Sequence, residues 1–208
     1  MSDDPNEEMD YKKYDHFIKI LVIGDSEVGK TSFIKRFLSN EYSDKPINTK
    51  DLELKNKLLE IDNQKIYFNL WDGLINSKQK KTTKTELSVR VQGIAIIYDV
   101  SNYASFNSLE FYIKEVKETC GSDMPIIIIG NKIDLERIVD QEEAENFAKD
   151  NNVEYIETSV LNNENIEKSI VKLSEKIINC SYFKGDTITL NKPNKFKKAK
   201  KIKKKNFC

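Results

Sequence analysis

From His16 the chain alternates apolar and polar positions and then runs into Ile20-Leu21-Val22-Ile23 before Gly24, a pattern that predicts a strand buried on both faces. Thr31 to Leu38 carries Phe33, Ile34, Phe37 and Leu38 at helical spacing. Leu52–Ile61 and Lys65–Trp71 predict two strands joined by a tight turn at Asp62-Asn63-Gln64. Gly93–Val100, Pro125–Gly130 and Val153–Glu157 predict three more strands. Helical patterns lie between them at Ser105–Thr119 and Asp140–Asp150, and Ile166, Ile170, Leu173 and Ile177 mark a last helix. Strands that alternate with helices and are apolar almost throughout imply an α/β fold. The expected architecture is a mostly parallel six-stranded sheet with helices on both faces.

Composition bounds this picture without changing it. Hydrophobic residues make up 38% of the 208, with ten Phe and nine Tyr, so a core can be filled. Seven Gly and four Pro exclude a collagen-like chain, and the periodic apolar runs exclude wholesale disorder. No apolar stretch approaches the roughly 18 residues of a membrane span. The acidic start, Met1-Ser2-Asp3-Asp4, is unlike a signal peptide and predicts a cytosolic protein. Cys120, Cys180 and Cys208 show no metal-binding spacing and cannot all pair, which suits a reducing compartment.

Charge is more informative. The chain is formally neutral, yet nine lysines and no acid follow Asp186, so the preceding 186 residues carry −9. The expected organisation is an acidic flexible arm over 1–14, a folded domain over 15–180, and a flexible polybasic tail over 181–208 that ends in Cys208.

The chemistry begins at Gly24-Asp25-Ser26-Glu27-Val28-Gly29-Lys30-Thr31, which fits G-x-x-x-x-G-K-[ST] between a predicted strand and a predicted helix. Backbone N–H groups from Ser26 to Thr31, at the positive end of a helix, suit a phosphate. Gly29 allows close approach, Lys30 has the reach for β and γ phosphates, and Thr31 offers a hydroxyl to Mg²⁺. Asn131-Lys132-Ile133-Asp134 follows an apolar strand at the edge where open α/β sheets place ligands. A carboxylate there accepts from guanine N1–H and N2–H₂, a donor pair that adenine lacks. Glu157-Thr158-Ser159-Val160 follows the next strand, where backbone amides suit the guanine O6.

Together these segments resemble the Ras-superfamily small GTPases, closest to the Rab branch, over about residues 15–180. The resemblance implies a P-loop NTPase small G-domain that binds GTP or GDP with Mg²⁺. It places phosphate contacts at Ser26, Glu27, Val28, Gly29, Lys30, Thr31 and Ser32. Base contacts fall at Asn131, Lys132, Asp134, Thr158, Ser159 and Val160, with Tyr42 as the aromatic ring beside the base. Thr49 falls on the switch I threonine that senses the γ-phosphate, and Asp72 on the aspartate that reaches Mg²⁺ through water, so the implied metal set is Thr31, Thr49 and Asp72. Effectors and regulators would meet residues about 43–55 and 72–90. Cys208 would carry a prenyl group, although there is no Cys-a-a-X box and no paired cysteine. A lipid with the lysine tail makes the two-signal anchor for an anionic membrane, on the cytosolic face of endomembranes or the plasma membrane.

Departures from the family pattern gather in the switches. The family's Asp-x-x-Gly-Gln reads Asp72-Gly73-Leu74-Ile75-Asn76, so Ile75 replaces the glycine and Asn76 the glutamine that orients the attacking water. In switch I the family's glycine is Asp51, and Glu27 adds a carboxylate to the phosphate loop at a position that is usually glycine. Misplacing a catalytic group by about 1 Å costs on the order of 10²-fold, so the expectation is guanine binding with impaired intrinsic hydrolysis. Two other readings remain at this point. One is a non-hydrolysing scaffold that does not switch, and the other is a small-molecule kinase, which the guanine motif disfavours. The tail also fits a nuclear or RNA-binding patch.

Overall fold

The computed structural model describes residues 14–42, 54–73 and 91–180. Thr49, Asp51, Ile75, Asn76 and Cys208 lie outside the described residues, as do residues 1–13 and the tail from 181. In chain order the elements are β1 (His16–Ile23), α1 (Lys30–Ser39), β2 (Leu54–Ile61), β3 (Gln64–Asp72), β4 (Gly93–Asp99), α2 (Tyr103–Cys120), β5 (Ile126–Asn131), α3 (Gln141–Asp150), β6 (Glu154–Thr158) and α4 (Ile166–Asn179).

These form one six-stranded sheet in the order β2-β3-β1-β4-β5-β6. Every neighbouring pair is parallel except β2 and β3, which form a hairpin. The hairpin turns on Asp62 and Asn63 at φ +50° and +61°, the mirror-image turn whose twist matches paired strands. Gln64, expected in the turn, instead pairs with Ile61 as the first residue of β3.

The apolar alternation divides the core in two. Ile18, Ile20 and Val22 of β1 face α1 and α4, where Phe33, Phe37, Ile170 and Leu173 meet them. Leu21 and Ile23 face the other way, toward Phe106, Leu109 and Val116 of α2 and Ala144 and Ala148 of α3. β4 and β5 are buried along their whole length because helices cover both of their faces. Among the described residues no helix is long and apolar enough to cross a membrane.

Three strand ends differ from the sequence expectation in one way, while β4 stops at Asp99, one residue before the expected Val100. β3, β5 and β6 each run one residue further, to Asp72, Asn131 and Thr158, which are 3%, 1% and 0% exposed. Ladder pairing continues there while the side chains turn polar, so hydrophobic periodicity stops before the strand does. β1 lies between β3 and β4, where the strand order reverses, and all these polar ends open on that side. It is the crevice where sheets of this kind take ligands.

Candidate nucleotide-binding site

The loop after β1 is shaped by two glycines. Gly24 has φ +146°, and a Cβ there would lie 2.1 Å from the Ile97 carbonyl oxygen. Gly29, at φ +100°, caps α1, and a Cβ there would lie 2.5 Å from Asn131 Nδ2. Between them Glu27 takes the left-handed conformation, φ +68°, with an exposed side chain. Lys30 folds back across the loop, donating to the carbonyl oxygens of Gly24 at 2.9 Å and Asp25 at 2.7 Å. Val28 is buried, Ser26 is exposed and Ser32 is half-buried in the first turn of α1.

At the floor, the Thr31 hydroxyl donates to Asp72 Oδ2 at 2.5 Å, joining the start of α1 to the end of β3. Gly73 N–H donates to the Val22 carbonyl at 2.9 Å and keeps that strand end beside β1. A hydroxyl and a carboxylate, both buried, are hard oxygen donors that suit Mg²⁺, which usually takes one or two protein oxygens together with water and phosphate. The residues present therefore fit a magnesium–nucleotide complex.

The segments after β5 and β6 are wired to this loop. The Asn131 amide donates to the Val28 carbonyl at 2.8 Å, and its oxygen accepts from the Thr158 hydroxyl at 3.2 Å. One buried amide thus touches the phosphate loop and the end of β6. Lys132, at φ +68°, pairs with Asp99 Oδ2 at 2.7 Å, and the other Asp99 oxygen accepts from Ser101. The Ser159 hydroxyl donates to Asp134 and accepts the Asn162 N–H at 3.0 Å. Val160 is buried at 5% exposure, whereas Tyr42 is 41% exposed just beyond α1.

Five supporting contacts were not legible from motifs. Asp25 accepts from Ser108 at 2.7 Å and from Tyr112 at 2.8 Å, tying the phosphate loop to α2. Arg137 grips Glu157 with two bonds of 2.7 Å, joining the segment after Asp134 to the residue before Thr158. Glu157 also accepts from Tyr155, whose hydroxyl lies 2.9 Å from that of Tyr98. Burial pushes the Tyr98 hydroxyl up to about 12 and raises Tyr155 as well, so both stay neutral.

The Ras family model matches residues 19–179. Ras-related protein Rab-11B of Dictyostelium discoideum is 36% identical over 181 residues, covering 86% of this chain and 81% of its own length. Ras-related protein Rab-1 of Theileria parva is 36% identical over 169 residues, covering 80% and 76%. Ras-related protein Rab-13 of Rattus norvegicus is 32% identical over 169 residues, covering 80% and 83%. The chain belongs to the Ras family, in its Rab branch. The Ras-family span holds the phosphate loop, the Asn131–Asp134 segment and the Thr158–Val160 segment, so family membership and site geometry concern the same part of the molecule. Asp25 and Glu157 fall in segments that the sequence singles out, but their contacts and Arg137 were not legible there because the partners are distant in sequence: Ser108 and Tyr112 stand 83 and 87 residues from Asp25, and Arg137 stands 20 from Glu157.

Proposed function

We propose that this protein is a Rab-type GTP-binding switch for vesicle and membrane trafficking, with one G-domain over 15–180 between an acidic arm and a polybasic tail. The carrying observation is the Asn131 amide on the Val28 carbonyl, which joins a phosphate cradle to a guanine-reading segment as one unit. Backbone N–H groups of 26–32 and the Lys30 ammonium hold the phosphates, the lysine exchanging its loop carbonyls for phosphate oxygens. Thr31, Thr49 and Asp72 hold the cation. A Mg²⁺ held by them would supply neutralisation of charge on the phosphate oxygens. Asp134, oriented by Ser159, accepts from guanine N1–H and N2–H₂. Asn131, Lys132, Thr158, Ser159 and Val160 fix that edge, and Tyr42 covers the base.

Hydrolysis needs a side chain that aims water at the γ-phosphorus, and Asn76 is one methylene short of the family glutamine. Ile75 replaces the glycine whose backbone swings toward that phosphate. Both changes support slow intrinsic turnover. The lysine tail, with a lipid on Cys208, supports attachment to an anionic membrane.

Nucleotide loading with labelled GTP, GDP and ATP tests the binding: retention of guanine nucleotides alone is expected, and equal retention of ATP refutes it. Single-turnover hydrolysis of bound GTP tests the rest. Turnover should lie well below that of the I75G/N76Q variant, and ordinary small-GTPase speed in the wild type sinks the impaired-hydrolysis reading. Mass spectrometry of protein from its own cells decides the lipid, an unmodified Cys208 thiol counting against it. Ile75, Asn76 and Asp51 also favour a second reading, a scaffold that does not switch; it predicts equal effector binding in the GDP and GTP forms.

A further inference from the structure

The last turn of α1 carries a guanidinium committed to the far side of the pocket. Arg36 donates from Nε to the Val160 carbonyl at 2.8 Å and from Nη2 to the Leu161 carbonyl at 2.8 Å. Its Nη1 donates to the Asn40 carbonyl at 2.9 Å, and its Cζ lies 5.3 Å from the centre of the Tyr42 ring. A second strut runs alongside, from Asn163 Nδ2 to Asn40 Oδ1 at 2.9 Å.

The consequence follows from peptide planarity. A carbonyl held in place fixes the N–H of the next residue, because the two belong to one rigid unit. The Leu161 carbonyl shares its plane with the Asn162 N–H, and that N–H donates to Ser159 Oγ at 3.0 Å. Ser159 in turn donates to Asp134. A directed chain of hydrogen bonds therefore runs from Arg36 through one peptide and one hydroxyl to the carboxylate that faces the base, each bond polarising the next. The same fork holds the Val160 carbonyl, and through it the Leu161 N–H, while the guanidinium face sits against Tyr42. Only a planar fork with several fixed donors makes these contacts at once; a lysine ammonium is a single point charge.

We propose that Arg36 is a positioning residue for guanine recognition, setting the distance between Asp134, the 159–161 segment and Tyr42. This rests on the guanine-site reading above. The test measures dissociation of labelled GDP and IDP from wild type, R36M and R36K; IDP lacks the N2 amine that Asp134 reads. Dissociation rates do not depend on what fraction of a preparation is folded, so a less stable variant still reports. Wild type should release IDP faster than GDP. R36M should release GDP roughly 10- to 100-fold faster, the scale of a 1 Å misplacement, and should narrow the IDP-to-GDP ratio several-fold. R36K, with one donor site in place of a fork, should fall between. Unchanged rates in R36M overturn the proposal, and so does an equal acceleration for both nucleotides, which is what a merely structural role gives. Wild type that retains neither nucleotide overturns the guanine reading itself.

Discussion

Gly29 and Asn131 offer a test of why the phosphate loop needs a glycine at that position. Replacing Gly29 by alanine puts a methyl where φ is +100°, a conformation that costs an L-residue about 1–3 kcal/mol. The new Cβ would also stand 2.5 Å from Asn131 Nδ2, so the amide must leave the Val28 carbonyl it reaches at 2.8 Å. A buried acceptor stripped of its donor costs about a further 1–3 kcal/mol, giving about 2–6 kcal/mol for G29A. N131A loses the same bond and the one from Thr158, about 2–6 kcal/mol in total. The Val28 bond is then counted in both single variants but can be lost only once. G29A/N131A should therefore fall short of additivity by about 1–3 kcal/mol. All four proteins would be unfolded in urea at the same GDP concentration, because bound nucleotide adds to apparent stability. Costs that sum to within about 0.5 kcal/mol would refute the claim that Asn131 is what excludes a side chain at position 29.

Alkaline pH should weaken the fold through Tyr98. Its folded value of about 12, above the ordinary 10.0, means that its contribution is complete below pH 10 and lost as pH rises through 12. That loss is on the order of 3 kcal/mol, and Y98F should flatten this part of a stability–pH curve measured by urea unfolding. R137M removes a two-bond grip on Glu157 between side chains 33% and 14% exposed, and should lower the melting point by roughly 2–6 °C, read by calorimetry. E27G replaces a left-handed, exposed glutamate beside the phosphate site; stopped-flow release of labelled GDP should slow several-fold, and less so in high salt.

The sheet was readable from sequence wherever both faces of a strand are covered, because burial leaves continuous runs such as Ile126–Ile129. The loop at 24–31 was readable because its backbone geometry restricts residue type at fixed spacing. What escaped was the wiring. Arg36 meets a carbonyl 124 residues away, and a partner that is backbone leaves no trace in residue type. Asp25 sits inside the recognised motif, yet its role depends on α2 lying beside the loop, which topology decides and local pattern does not. The ends of β3, β5 and β6 were read short because Asp72, Asn131 and Thr158 are polar while still obeying the ladder's hydrogen bonding.

This division has a mechanistic consequence. Within the described residues the phosphate loop is braced from three sides: by Asn131 at Val28, by Ser108 and Tyr112 at Asp25, and by Lys30 across its own carbonyls. The segments after β5 and β6 are braced to each other through Thr158 and through Arg137 with Glu157. On the reading proposed above, every one of these contacts would act on the bound ground state of the nucleotide. Ile75 and Asn76 lie outside the described residues, and on the reading proposed above Asn76 bears on aiming a water molecule, a transition-state interaction. An interaction made only in the transition state changes rate and leaves ground-state affinity alone. A misplaced water worth 10²-fold corresponds to about 2.7 kcal/mol of barrier, and none of it is charged to nucleotide binding. On the proposed reading, tight guanine retention and slow turnover are therefore compatible in one chain, because different residues would set them.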